Sequence, residues 1–324
     1  MALSELSGDE QGIILDQLRN TLEPRLVMYF SSASKELRAL LPAAQKQQLR
    51  ADYEEATAFC RRVGMRDCKE LREAMEIEWQ EKFISAAELA TLAKLGSVLP
   101  ALKMLTLYER SRSAGPDGGR EPSRSAGPDG VLRLAEGLVV GALPVVRHLD
   151  IIGMHVGEAG ASALAAALDR GALPRLEVLV LTIAAIGDAG LAALAPALRR
   201  RPALRKLGLS GNPLGDEGLA ALVAPPPPAA DTPPRPAGGL KKLKWLDLSF
   251  TQVSDAGCAT LVAALHSGAL PALDTLHLDD IPASGAARRR AASEIWFLRR
   301  SRLLRRLRRA VSEALALARS RARA

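Results

Sequence analysis

The stretch Leu173 to Arg201, LPRLEVLVLTIAAIGDAGLAALAPALRRR, constrains the fold more than any other part of the chain. It opens with apolar residues at Leu176, Leu179 and Leu181, the L-x-x-L-x-L spacing of a short strand with one buried face. It then changes to a helical period, with Ile186, an expected N-cap at Asp188, and Leu191, Leu194 and Leu198 at steps of three and four. One strand and one helix cannot bury both apolar faces alone, so the unit requires copies stacked beside it.

Those copies are present. The strand pattern recurs at Leu102-Leu105-Leu107, Val146-Leu149-Ile151, Leu204-Leu207-Leu209, Leu243-Leu246-Leu248 and Leu273-Leu276-Leu278. Units start at Leu99, Leu143, Leu173, Arg201, Leu240 and Leu270, so the spacings are 44, 30, 28, 39 and 30. A degenerate copy from Leu71 places Ala74, Ile77 and Trp79 in the strand and Ile84, Leu89 and Leu92 in the helix, making seven units. Helix starts share a short signature: GEAG at 157–160, GDAG at 187–190, GDEG at 215–218 and SDAG at 254–257.

Pattern and period resemble leucine-rich repeats of the ribonuclease-inhibitor type over roughly two-thirds of the chain. The asparagine that follows the strand in that family stands only at Asn212; Met154, Ala184 and Thr251 occupy the equivalent positions elsewhere. The resemblance implies an α/β solenoid, a curved horseshoe with a parallel sheet on its concave face and helices outside. The expected organisation is a helical segment over 1–70, the solenoid over 71–285, and an Arg-rich amphipathic helix over 286–324.

Two long spacings mark insertions. The first insertion, near 109–126, falls within residues 109–130, which carry SRSAGPDGGREP and then SRSAGPDG, a tandem duplication that reads as a flexible loop. Residues 223–239, VAPPPPAADTPPRPAGG, favour polyproline II and read as a stiff solvated spacer.

Composition narrows the setting. Apolar content is carried by Ala and Leu, with aromatics at 3%, as suits small repeated layers. No stretch is apolar and long enough to span a bilayer, so no membrane association is expected. Cys60, Cys68 and Cys258 fit a reducing compartment, cytoplasmic or nuclear, with Cys258 a small core residue. The net charge of +8 is uneven: 286–324 holds thirteen Arg against Glu294 and Glu313, or +11, leaving −3 for the rest. That tail is expected to cap the last repeat with a stripe of Phe297, Leu304, Leu307, Val311 and Leu315. An acidic surface, nucleic acid or nuclear import through RRLRR at 305–309 are the alternatives. Few aromatics interleave with the Arg, which argues against nucleic-acid readout.

The N-terminal segment is read as short helices followed by a longer polar helix from Ala43 to Val63. Residues 3–41 resemble an F-box, with an L-x-P turn at Leu22–Pro24 and a third helix opening on SKELRALL. Ser7 stands where that family usually has proline, and Leu37 where tryptophan is common. The resemblance implies docking to the adaptor of a cullin–RING ubiquitin ligase. The other reading of these helices is a cap over the first repeat's open edge.

No convergent nucleophile, base and oxyanion groups appear, nor a phosphate loop or HExxH, so no enzyme, cofactor or metal site is expected. In L-x-x-L-x-L the leucines point inward, and the residues before, between and after the last two face the concave side. The candidate protein-binding residues so obtained are Tyr108, His148, Asp150, Lys206, Trp245, Asp247, His277 and Asp279, joined by Phe250 and Asp280 in the following turns. Trp245 stands out, because an outward indole beside Gly208 and charged neighbours resembles an interface hot spot. The alternative is a ring lying over Lys206 and binding nothing. Seven strands about 4.8 Å apart span roughly 30 Å, the scale of a protein partner. The sequence therefore reads as a protein-interaction module; the alternatives are an F-box-type substrate receptor and a regulator resembling Ran GTPase-activating proteins.

Overall fold

The L-x-x-L-x-L segments form strands because alternating leucines give an extended chain one apolar face to bury. A computed structural model of the chain describes residues 7, 9–11, 13–14, 20–33, 35, 39, 41–79, 84–109, 126, 129–223 and 240–321, with side chains at 303, 305, 306, 308–312 and 314–321 excepted. Much of 3–41, Gln80, residues 110–125 and 224–239 within the two insertions, and the side chains of Val311 and Leu315 lie outside that description. The contacts gather into two units, residues 1–176 and 177–324.

In the first unit the strands are β1 (Glu76–Trp79), β2 (Met104–Tyr108) and β3 (His148–Ile152), paired in parallel. Ile77, Leu105 and Leu149 stand in one row and are buried. At each strand's entry one carbonyl accepts two amides from the next repeat: Met75 O from Lys103 and Met104, then Lys103 O from Arg147 and His148. Helices α1 (Pro24–Ser32), α2 (Ala43–Arg62) and α3 (Cys68–Glu73) precede the strands. The repeat helices α4 (Ala86–Leu95), α5 (Asp129–Gly137) and α6 (Gly157–Asp169) follow them. Ser85 and Glu88 close a capping box at the start of α4, satisfying amides that the first turn leaves open.

The long polar helix expected from Ala43 is α2, and it is stitched to the first repeat. Phe59 meets the buried Trp79 edge-on, with ring centroids 5.4 Å apart. Arg62 pairs with Glu88 at 2.6 Å, and Glu55 accepts from Lys94 at 3.2 Å and from Thr91. Beneath them the Cys60 and Cys68 sulfurs lie 3.9 Å apart, both buried. Burial, with the Cys68 sulfur beside it, pushes the Cys60 thiol up to about 12.

In the second unit the strands are β4 (Val178–Thr182), β5 (Lys206–Gly208), β6 (Trp245–Asp247) and β7 (Thr275–His277), again parallel and in chain order. Leu179, Leu207, Leu246 and Leu276 share one row. Behind them lie α7 (Asp188–Arg199), α8 (Asp216–Val223), α9 (Asp255–Ser267) and α10 (Gly285–Arg321). The buried face of α7 includes the expected Leu191, Leu194 and Leu198, and that of α9 includes the expected Cys258 together with Leu261 and Leu265.

Asn212 holds two turns at once. Its Oδ1 accepts from the amides of Ala184 and Ile186 in the preceding repeat, and its Nδ2 donates to the carbonyls of Leu181 and Leu209. Thr251 does less with a hydroxyl, donating only to Leu248 O.

The helix-start signature works differently from the N-cap expected at Asp188. Gly187 is the N-cap, and Asp188 is the first helical residue. Its carboxylate crosses to the next repeat and accepts from the amides of Gly215 (2.7 Å) and Gly218 (2.9 Å). Asp216 likewise takes the amide and hydroxyl of Ser254, and Asp255 the amide of Ser284. Each aspartate thus caps its successor, placing negative charge at a helix start where the open amides gather.

The C-terminal helix also departs from expectation. It begins at Gly285, and among its described side chains Ala291 and Ile295 are buried, with Leu298 half-buried. Arg302 anchors the next turn, pairing with Asp274 at 3.3 Å and donating to Leu273 O at 2.6 Å. Phe297, Leu304 and Leu307, expected to pack, are instead exposed. Ala291 and Ile295, four residues apart, share one face of the helix, and Phe297 and Leu304 lie on another.

Candidate functional site

Strand alternation places one set of side chains inward and the other on the open face of the sheet. In the first unit the open face carries His148 beside Met104, Asp150 beside Thr106 and Tyr108 beside Ile152, all half-buried. The second unit brings the other candidates together. Trp245 stands between Lys206 and Thr275 in one row, and Asp247 between Gly208 and His277 in the next.

Trp245 is half-buried, and its ring turns toward Gly208 and His277. The His277 ring lies 5.6 Å away at 57°, and a β-carbon added at Gly208 would come within 3.4 Å of the indole. Glycine there gives the indole room, and Lys206 on the neighbouring strand is exposed. Asp247 uses one carboxylate oxygen locally, accepting from Ser249 N at 2.9 Å. Among the described residues no group of His, Cys, Asp and Glu is arranged to hold a metal ion.

The turns after the strands carry the feature that sequence reading missed. Position 153 is glycine with φ +72, and position 211 is glycine with φ +69. The matching positions 183, 250 and 280 adopt the same left-handed conformation with Ile183 (φ +51), Phe250 (φ +56) and Asp280 (φ +50). A β-carbon in that region costs roughly 1–2 kcal/mol. Yet Phe250 is 60% exposed and Ile183 54%, so neither recovers that cost by packing inward. The Phe250 amide donates to Asp279 O at 2.8 Å, and Asp279 N donates to the Ser249 hydroxyl, which fixes the turn. The signal was the substitution of bulky residues at a position where two other repeats use glycine.

The assembled site is a shelf with apolar Trp245, Phe250 and Ile183, the cation Lys206, and carboxylates at Asp247, Asp279 and Asp280. Strand–turn–helix units with inward leucines and one asparagine-held turn are similar to leucine-rich repeats. Residues 202–223 and 239–262 match the family described as Leucine Rich repeat.

Similar solved structures overlap only in part. The tropomodulin C-terminal domain of Caenorhabditis elegans is 20% identical, covering 50% of this chain and 89% of its own, with a TM-score of 0.38. Leiomodin-1 Actin-Binding Site 2 is 15% identical, covering 48% and 87%, with a TM-score of 0.33. An internalin of Listeria monocytogenes is 13% identical, covering 76% and 93%, with a TM-score of 0.20. No curated protein matches the chain. No helix among the described residues is long and apolar enough to cross a membrane.

Proposed function

We propose that this chain is a non-enzymatic protein-interaction module whose partner docks on the open sheet face of the second unit, around Trp245 and Phe250. The observation that carries the reading is Phe250 itself. A large aromatic held at φ +56 carries backbone strain, and at 60% exposure it recovers little of the burial energy of a core phenylalanine. A docked partner would cover that ring and the half-buried indole beside it, with Lys206, Asp247 and Asp279 forming a polar rim. The test is affinity purification with mass spectrometry on the full chain and on Trp245→Ala. A partner lost with the substitution supports the reading, and identical partner sets reject it.

A second reading rests on α1. Pro24 starts this helix after the turn at Leu22, and Leu26 (46%) and Tyr29 (71%) are exposed on it. An F-box-like segment would use such a surface to dock a cullin–RING adaptor. Loss of a cullin complex from a chain starting at Asp67 supports that role, and an unchanged partner set removes it.

A further inference from the structure

Apart from the Trp245 shelf, an open groove of about 790 Å³ lies where β6 and β7 begin, against the middle of α10. Its charged lining is Lys244, Arg299, Arg300 and Arg302 against a single carboxylate, Asp274. Asp274 is already engaged by Arg302, whose guanidinium is further tied to the Leu273 and Leu298 carbonyls. Lys244, Arg299 and Arg300 are exposed, and among the described residues no carboxylate pairs with them. A concave surface lined by one sign of charge concentrates ligands of the other sign.

Trp296 decides what kind of anion fits. It is 53% exposed in the groove wall, with the Arg300 guanidinium 5.4 Å from its ring centroid and Phe297 edge-on at 5.2 Å. A nucleobase needs an open aromatic face for stacking, and here one face already carries a cation. A peptide with spaced carboxylates and apolar side chains suits both parts of the groove. The Arg299 and Arg300 forks accept carboxylates in bidentate fashion, and the remaining edge of Trp296 with exposed Phe297 takes an apolar side chain.

We propose that this groove binds an acidic peptide segment of a partner protein, independently of the Trp245 shelf. The test uses the full chain and a fluorescein-labelled peptide of four Glu-Glu-Leu repeats, with a labelled twelve-nucleotide thymidine strand as the comparison, both read by anisotropy. The peptide is expected to bind, to weaken as salt rises, and to lose at least tenfold in affinity with Arg299→Glu/Arg300→Glu. Arg61→Glu/Lys69→Glu, the same charge change on the first unit, should alter affinity less than twofold. Arg299→Lys/Arg300→Lys, which keeps the charge and removes the forks, should give an intermediate loss. The proposal is overturned if the peptide does not bind, if both charge reversals weaken it equally, or if the thymidine strand binds as tightly and responds to the same reversal.

Discussion

The Oδ1 atom of Asp188 lies 2.9 Å from the backbone nitrogen of Gly218, the last residue of the next repeat's GDEG signature. The aspartate of one repeat and the glycine of the following one are a single device. A β-carbon at Gly218 would come within 2.6 Å of that oxygen and 3.0 Å of the Asp188 Cα. At Gly257 it would collide with the Asp216 carboxylate and with Val253. The signature therefore repeats because each unit must both reach forward and admit its predecessor.

Gly218→Ala is expected to destabilise the second unit by about 2 kcal/mol through overpacking and loss of the cap. Asp188→Ala alone should cost about 1 kcal/mol. Combined, the two should cost less than their sum, because removing the carboxylate removes part of the clash. Strict additivity in urea unfolding would show that the residues are not coupled.

The repeat leucines were fully legible from the sequence, since an inward residue at every second position has no other explanation once seven copies agree. The strand registers at Met104–His148 and Lys206–Trp245 follow the expected rows. What was not legible depended on reach or on rotation. Asp188 sits where an N-cap would sit, and only the stacking distance reveals that its carboxylate serves another helix. The Trp245 ring could turn toward Lys206 or Gly208, and sequence spacing does not choose between them. Phe250 was visible as an aromatic in a turn, but its left-handed backbone was not.

The C-terminal helix offers a direct comparison of its two apolar faces. Ile295→Ala should destabilise the second unit by about 2–4 kcal/mol, as for a buried aliphatic side chain. Phe297→Ala and Leu304→Ala should each change stability by less than about 0.5 kcal/mol, because both side chains are exposed. Thermal unfolding of the three variants checks this. Equal losses at Ile295 and Leu304 would mean that the helix packs on its other face.

Alkaline stability should depend on Cys60. Its folded thiol is raised to about 12, whereas an unfolded cysteine titrates near 8.5. A raised folded value gives stability that is complete below the unfolded pKa, so Cys60 contributes fully at neutral pH. That contribution falls as pH rises from about 8.5 toward 12, because only the unfolded chain releases the proton. Cys60→Ala should flatten the decline of the urea midpoint between about pH 8.5 and 10.5. Parallel declines in parent and variant would remove the thiol from the account.

Phe250→Gly tests the central claim, that the second unit keeps an unfavourable aromatic for the sake of a partner. Glycine occupies the matching turn at positions 153 and 211, so it fits the same backbone. Relief of the left-handed strain and the entropy of an added glycine oppose each other, and the account predicts stability unchanged or raised within about 1 kcal/mol. The same variant should lose the partners that Trp245→Ala loses when both are purified beside the parent chain. A variant that is destabilised by more than about 1 kcal/mol yet retains every partner would show that Phe250 is a structural residue, and would contradict the account.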